Sequence, residues 1–254
     1  MAWFFHATIF FGVYVLKKIK IYSELVYIFA QLGLTLSVAI MAAADFGVSM
    51  IVAPAYILSE KINIINIGAF SHELTFGEWS YITQGVLFIA FCIAMKKVKL
   101  TYFVSFLTCV IYGYILDMWQ KIIPILNPDI VPAGSMDLWI RVVMFIVGEV
   151  FTAFSVMLFF KSYIYPQVVD LFVKGIAQKY NINQNKFKKL FDMGCLIVSV
   201  ILTLALFKTF VGVELGTIII ALVNGVLIGF FSKLYDKYVE TIPLFPKVAK
   251  KFEF

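Results

Sequence analysis

VVMFIVGEVFTAFSVMLFF, residues 142–160, is a run of 19 residues between Arg141 and Lys161 with a single charged group, Glu149, near its centre. An apolar helix of about 20 residues crosses the hydrocarbon core of a bilayer. Lipid offers no partner to a free backbone N–H or C=O, so a segment of this kind must be helical. The glutamate is the anomaly. A charged acid at a helix centre costs about 2.5–3.5 kcal/mol on insertion scales. It is therefore expected to face the interior of a bundle, where it carries a proton or meets a partner. The plainer alternative is a structural hydrogen bond between helices, with Glu149 permanently protonated.

The rest of the chain reads the same way. It has 254 residues, 62% of them hydrophobic and 14% charged, and a mean hydropathy of +0.96. Soluble domains carry about 25% charged residues. The apolar residues fall into blocks at 23–44, 80–95, 100–120 and 139–160, with two more at 190–207 and 212–232. The reading is an all-α polytopic membrane helix bundle of about six spanning helices, with the lipid bilayer as its first partner. Residues 3–16 would make a helix about 21 Å long, short for a span, and are expected to form an interfacial or tucked helix rather than a seventh crossing. Charges follow that apolar run instead of preceding it, which makes a poor signal peptide.

Net charge is +6, but the lysines bracket apolar blocks instead of clustering on a soluble face, so no nucleic-acid partner is indicated. With KKIK (17–20) in the cytoplasm, six crossings leave 17 of the 21 basic residues on that side. Outside lie Lys61, Lys121, Arg141 and Lys208. The positive-inside rule selects this orientation, with the 96–99 loop and the C-terminus cytoplasmic. A further span within 48–62 would spoil the bias, so that stretch reads as a half-helix.

Few residues offer chemistry of their own. Cys92, Cys109 and Cys195 lie in apolar windows without metal or redox spacing and read as packing residues. His6 and His72 stand alone. No metal site, no cofactor and no enzyme are expected: there is no paired-histidine motif, no G-x-S-x-G, and no close acid pair within one span. Trp79, Trp119 and Trp139 fall at expected outer helix ends, where the interface favours them.

An internal repeat is visible. Each half reads long helix, proline-started short helix, polar loop, long helix, long helix. Pro54 with Pro166, Ser105 with Thr217, and Gly113 with Gly225 share one offset of 112 residues. Three spans per half is an odd number, so the halves insert in opposite senses, as two inverted three-helix repeats. The chain then divides into an N-terminal apolar segment (1–21), a first membrane repeat (22–121), an external loop (122–137), a second membrane repeat (138–237) and a basic cytoplasmic tail (238–254). Proline is welcome at the first position of a helix, so Pro54 and Pro166 mark half-helix starts. Such starts carry partial positive charge and free N–H groups. Whether these half-helices re-enter the bundle or lie in the interface is left open by periodicity.

Inverted repeats with broken helices place binding sites near the midplane. The candidate substrate- or ion-binding groups are accordingly Glu149, its counterparts Ser37 or Gln31 in the first half, the symmetric hydroxyls Ser105 and Thr217, and Tyr112 and Asn224 two turns on. Asp45 and Asp117 complete the set, although an acid at the outer end of a helix is also well placed as an interfacial residue. Asp192 and Glu214 sit near helix starts and read as structural.

Four stretches carry a resemblance: ADFGVSMIVAPAYILSEK (44–61), LTFGEWSYITQGVLF (74–88), SFLTCVIYGYILD (105–117) and VELGTIIIALVNGVLIGFF (213–231). Together they resemble the YitT/YczE-like family of bacterial integral membrane proteins, over about residues 22–235. The elements that match are the Gly47-to-Pro54 turn, the Phe76-Gly77 pair and the Gly216-Thr217 opening of the last span. KSYIYP, at the second-half turn, departs from the pattern in having no glycine. The resemblance implies a multi-pass protein of the bacterial cytoplasmic (inner) membrane and implies no activity. On the residues themselves, the expected function is secondary transport of a small solute or ion. The alternative is a non-transporting accessory, scaffold or substrate-capture subunit with a membrane partner; a homo-oligomer is compatible with either.

Overall fold

A computed structural model describes residues 18–249, apart from 63, 68–69, 133–134 and 165–166. In chain order the elements are β1 (Ile19–Tyr22), α1 (Ser23–Ala44), α2 (Ala53–Lys61), β2 (Ile64–Ile67), β3 (Phe70–Glu73), α3 (Phe76–Met95) and α4 (Leu100–Ile122). Then follow a 3-10 turn (Pro124–Leu126), α5 (Leu138–Lys161), α6 (Val168–Lys179), α7 (Gln184–Phe207), α8 (Leu215–Tyr238), β4 (Val239–Ile242) and α9 (Pro246–Ala249). Among the described residues six helices, α1, α3, α4, α5, α7 and α8, are long and apolar enough to cross a membrane. The chain is a polytopic membrane protein. The reading of residues 3–16 and the proline start at Pro166 lie outside the described residues.

Helix boundaries depart from the apolar windows where polar caps intervene. α3 begins at Phe76, a turn before its window, because Thr75 and Glu78 form a capping box: the Thr75 hydroxyl accepts the Glu78 N–H at 3.1 Å, and the Glu78 carboxylate accepts the Thr75 N–H at 3.0 Å. α8 begins later than its window because Glu214 is its N-cap. Apolar counting registers the lipid-facing run; caps decide where the helix starts.

α1 lies along α5. α4 packs on α1 and α8 on α5. α2 packs against α3 and α7, α6 against α3, α7 and α4, and α3 against α4. The starts of α1 and α5, of α2 and α6, and of α4 and α8 are all separated by one common interval, about one helical turn wider than the offset read from the sequence. α7 and α8, although consecutive, share no extended packing. Their outer faces carry bare apolar side chains such as Ile201, Leu222 and Val226, as expected of surfaces against lipid.

Small residues set the α1–α5 seam. A Cβ on Gly148 would stand 2.6 Å from Met41 Cγ, and one on Gly33 would stand 2.5 Å from Ser155 Oγ. Thr152 donates to Ser37 Oγ at 2.9 Å, and Ser37 donates to the Leu34 carbonyl at 2.8 Å. Close backbone approach with hydroxyls satisfied inside the seam is how helices associate in lipid.

At the bundle end that holds the α1–α2 turn, the resembling motifs prove to be interlocks. Gly47 has φ +94°, and a Cβ there would meet Thr217 Oγ1 at 2.5 Å and the Glu214 N at 2.9 Å. The Gly216 N–H donates to the Phe46 carbonyl at 2.9 Å and the Thr217 hydroxyl to the Val48 carbonyl at 2.9 Å. Gly77 lies directly against Gly113 of α4. At the opposite end, β1 pairs in parallel with β4, Ile19 opposite Val239. Glu24 accepts the N–H groups of Leu244 at 3.0 Å and Phe245 at 3.2 Å. These ladders, with the antiparallel pair β2–β3, are the departures from the all-α expectation.

Candidate functional site

Two half-helices converge on one small cavity. It has a volume of about 20 Å³ and is lined by Ile51, Val52 and Ala55 at the start of α2, by Gln167 at the start of α6, by Ser80, Thr83 and Gln84 of α3, and by Tyr112 of α4. Gln84 lies eight residues into α3, about 12 Å along its axis, against a half-thickness of about 15 Å for a hydrocarbon core. Tyr112 lies near the middle of α4. Both starts therefore reach mid-depth between the ends of the spanning helices. From there α2 runs back towards the end that holds Asp45, where Trp79 donates to the Ile62 carbonyl at 2.8 Å. α6 runs back to the other end, where Lys179 donates to the Ala94 carbonyl at 2.6 Å. The two short helices thus start level with the middle of the long helices and run to opposite ends of the bundle.

Neither start is closed by a side chain. The N-caps, Val52 and Gln167, make no capping hydrogen bond. In α2, Pro54 has no N–H, and the N–H groups of Val52 and Ala53 go to the Ser49 carbonyl at 2.9 Å. In α6, the Val168 N–H meets the Cys109 sulfur at 3.4 Å, a weak acceptor. The Cys109 thiol in turn stands within donating distance of Gln84 Oε1 at 2.9 Å and of the Ser105 carbonyl at 3.1 Å. The Tyr112 hydroxyl and Gln167 Nε2 are buried with no hydrogen-bond partner among the described residues. Tyr112 itself is 2% exposed.

A second cavity of about 310 Å³ opens at the end that holds Asp45. It is lined by Tyr56, Ser59, Glu60, Glu73, Thr75, Phe76, Asp117, Lys121 and Asp129, among others. The edge-to-face pair Tyr56–Phe76, ring centroids 5.4 Å apart, stands between this vestibule and the small cavity, since Ala55 and Ser80 next along α2 and α3 line the latter. Burial pushes the Glu60 carboxyl above the usual range, and repulsion from Asp45 adds to it.

Of the residues singled out from sequence, Tyr112 lines the small cavity and Pro54 is in the first turn of α2 beside it. Glu149 is 4% exposed, and neither carboxyl oxygen has a hydrogen-bond partner among the described residues. It belongs to α5, which packs on α1 and α8, and is not part of the cavity wall. Ser37 is spent in the α1–α5 seam. Gln31 donates to the Thr108 carbonyl at 3.1 Å while its Oε1 is left over. Ser105 Oγ and Asn224 Oδ1 are likewise buried without a partner. Thr217 is held by Val48, and Asp117 accepts from the Thr75 hydroxyl at 2.5 Å and the Gly77 N–H at 2.8 Å. Asp45 pairs with Arg141 at 3.1 Å, and the same arginine donates to the Ala44 carbonyl at 2.8 Å, closing the end of α1. The sequence reading passed over Gln84 and Gln167. Gln84 carried a usable signal, an amide in the middle of an apolar run; Gln167 carried only its place after Pro166.

A family model described as "Family of unknown function (DUF6198)" matches residues 21–233. The match names that family and not the YitT/YczE-like one that the motifs resemble. Neither a curated protein nor a solved structure matches the chain.

Proposed function

The chain belongs to the DUF6198 family, whose function is unknown, and from that premise we propose that it is a small secondary transporter that moves a small solute or ion by alternating access. The observation that carries the reading is that two half-helix starts, neither with a hydrogen bond from its N-cap side chain, line one small cavity level with the middle of the long helices. Transporters with inverted repeats place their substrate sites at such starts. The common interval between helix starts and the matched packing support two inverted repeats: α4 on α1 answers α8 on α5, and α3 on α6 answers α7 on α2. The vestibule supplies one approach, and Tyr56 with Phe76 is the gate that closes it. Glu149 is the coupling carboxyl, since an unpaired buried acid must be joined by a proton or a cation. The lysine count orients the Asp45 end outward across a bacterial inner membrane.

The test is reconstitution in liposomes with a panel of labelled small solutes and ions across pH. A solute accumulated against its gradient under an imposed proton gradient supports the reading, and Glu149→Gln should abolish that coupling while keeping the fold. Transport by Glu149→Gln with unchanged pH dependence would remove the coupling role. A second reading, an accessory subunit, is favoured by the bare apolar faces of α7 and α8 and their lack of mutual packing. Absence of any flux, together with co-purification of one membrane partner in stoichiometric amount, would select it.

A further inference from the structure

We infer that the half-helix junction binds a small monovalent anion of halide size, held by the Tyr112 hydroxyl, the Gln167 amide and the uncapped start of α6. This rests on the transport reading and specifies its ligand. The size follows from the cavity, whose roughly 20 Å³ has room for one water-sized species. The sign follows from the wall. No carboxylate lines the cavity. The Ser80 and Thr83 hydroxyls spend their protons on α3 carbonyls, those of Phe76 and Trp79, each at 2.9 Å.

What remains free is donors. The Tyr112 hydroxyl and Gln167 Nε2 are buried with no partner among the described residues. The start of α6 adds the positive end of the helix dipole and a Val168 N–H held only by the weakly accepting Cys109 sulfur at 3.4 Å. A water molecule can accept only two hydrogen bonds, whereas an anion can accept from every donor. A cation would face these donors with no carboxylate in the cavity wall to offset its dehydration. Asp170, in the first turn of α6, acts on Cys109 at the junction as well as on Lys188 and Asp192 of α7; it is not part of the cavity wall, and its pairing with Lys188 offsets its charge.

The charge outside the cavity differs between the two ends of the bundle. The vestibule carries Glu60, Glu73, Asp117 and Asp129 against Lys121 alone, which makes it a poor collector of anions. The opposite end holds Lys96, Lys97, Lys99 and Lys179, close to the end of α3. Anions therefore concentrate at the lysine-rich end more than at the vestibule.

The experiment uses the full chain in nanodiscs of neutral lipid, melted in chloride against gluconate at constant ionic strength, with bromide and fluoride as further probes. Ligand that binds only the folded state raises the melting temperature saturably. The expected result is a saturable rise with chloride. Tyr112→Phe should weaken its midpoint roughly tenfold or more, the loss of one charge-assisted hydrogen bond. Gln167→Glu should abolish the rise; where it does not fold, Gln167→Leu removes the donor without adding charge. Identical melting in chloride, bromide, fluoride and gluconate, or an unchanged midpoint in both variants, overturns the site. Proteoliposome flux separates this from the transport reading. Anion binding without flux of any kind leaves the site standing and overturns transport. Flux of another solute, indifferent to halide and paired with flat melting, overturns the anion site and leaves transport.

Discussion

Two seams cross the middle of this molecule and are built on opposite principles. Where α1 packs along α5, Gly33, Ser37, Gly148, Thr152 and Ser155 bring backbones together, and the Ser37 and Thr152 hydroxyls are both spent in hydrogen bonds. Where α2 meets α6, longer polar groups are buried with their donors unspent and a small space is kept open between them. Small side chains with satisfied hydroxyls make a fixed joint in lipid, whereas amides and a phenol around a void make a receptor. Burying a donor without a partner costs about 1–3 kcal/mol, so a fold that keeps such groups has a use for them.

The contrast can be broken most severely at Gly148. Gly148→Leu should drive α5 off α1, since even a Cβ would press on Met41 and stand 3.3 Å from the Ser37 carbonyl. Overpacking of this kind costs about 1–3 kcal/mol or more. The expected result is loss of the monodisperse peak on size exclusion or a sharply lowered melting temperature. Wild-type melting would mean that the seam is not tight.

A paired substitution sharpens the comparison. Thr152→Val should cost about 1 kcal/mol, because it leaves the Ser37 hydroxyl without its donor. Tyr112→Phe should melt at or above the wild-type temperature while losing function, because it removes a hydroxyl that has no partner. Thermal melting of the two, side by side, reads the result; equal losses in both would show that the seams do not differ in kind.

Glu149 tests the boundary between the two. It lies on the α5 side of the fixed joint, yet its carboxyl is unpartnered like the groups at the junction. Glu149→Gln should leave melting unchanged or slightly raised. A fall comparable to that of Thr152→Val would identify the carboxyl as a structural hydrogen-bonding group.

The smallest effect concerns the vestibule. Glu60 has its carboxyl pushed up by burial and by Asp45. A carboxyl raised in the folded state binds its proton there first, so its contribution to stability is greatest at low pH and is lost as pH rises through the raised value. Glu60→Gln should flatten the pH dependence of melting between weakly acid and neutral pH and raise the neutral value slightly. A steeper dependence in the variant would reverse the assignment.

The spans were legible because apolar length is a direct physical requirement of the bilayer, and the first half-helix because Pro54 stands in its first turn. The start of α3 was not, since Thr75 and Glu78 act through backbone N–H groups that hydropathy ignores, although T-x-x-E is a readable capping box. Asp45 and Asp117 were legible as acids at helix ends but not as the partners of Arg141 and of the Thr75–Gly77 turn, which depend on helix neighbours far along the chain. The β1–β4 ladder was hidden for the same reason: eight ordinary residues from opposite ends of the chain. Gln84 and Gln167 lie far apart in sequence, and only packing of α6 against α3 brings them to one cavity.

The central claim is that the junction of α2 and α6 is reached from water while the α1–α5 seam is not. It is tested most directly by cysteine accessibility in sealed vesicles, on a background with Cys92 and Cys195 replaced by Ala and Cys109 by Ser. Gln167→Cys and Ser37→Cys are compared for reaction with a charged, membrane-impermeant thiosulfonate. The account predicts that Gln167→Cys is modified and Ser37→Cys is not, although both lie deep in the bundle. Silence at both positions, or equal reaction at both, would contradict it.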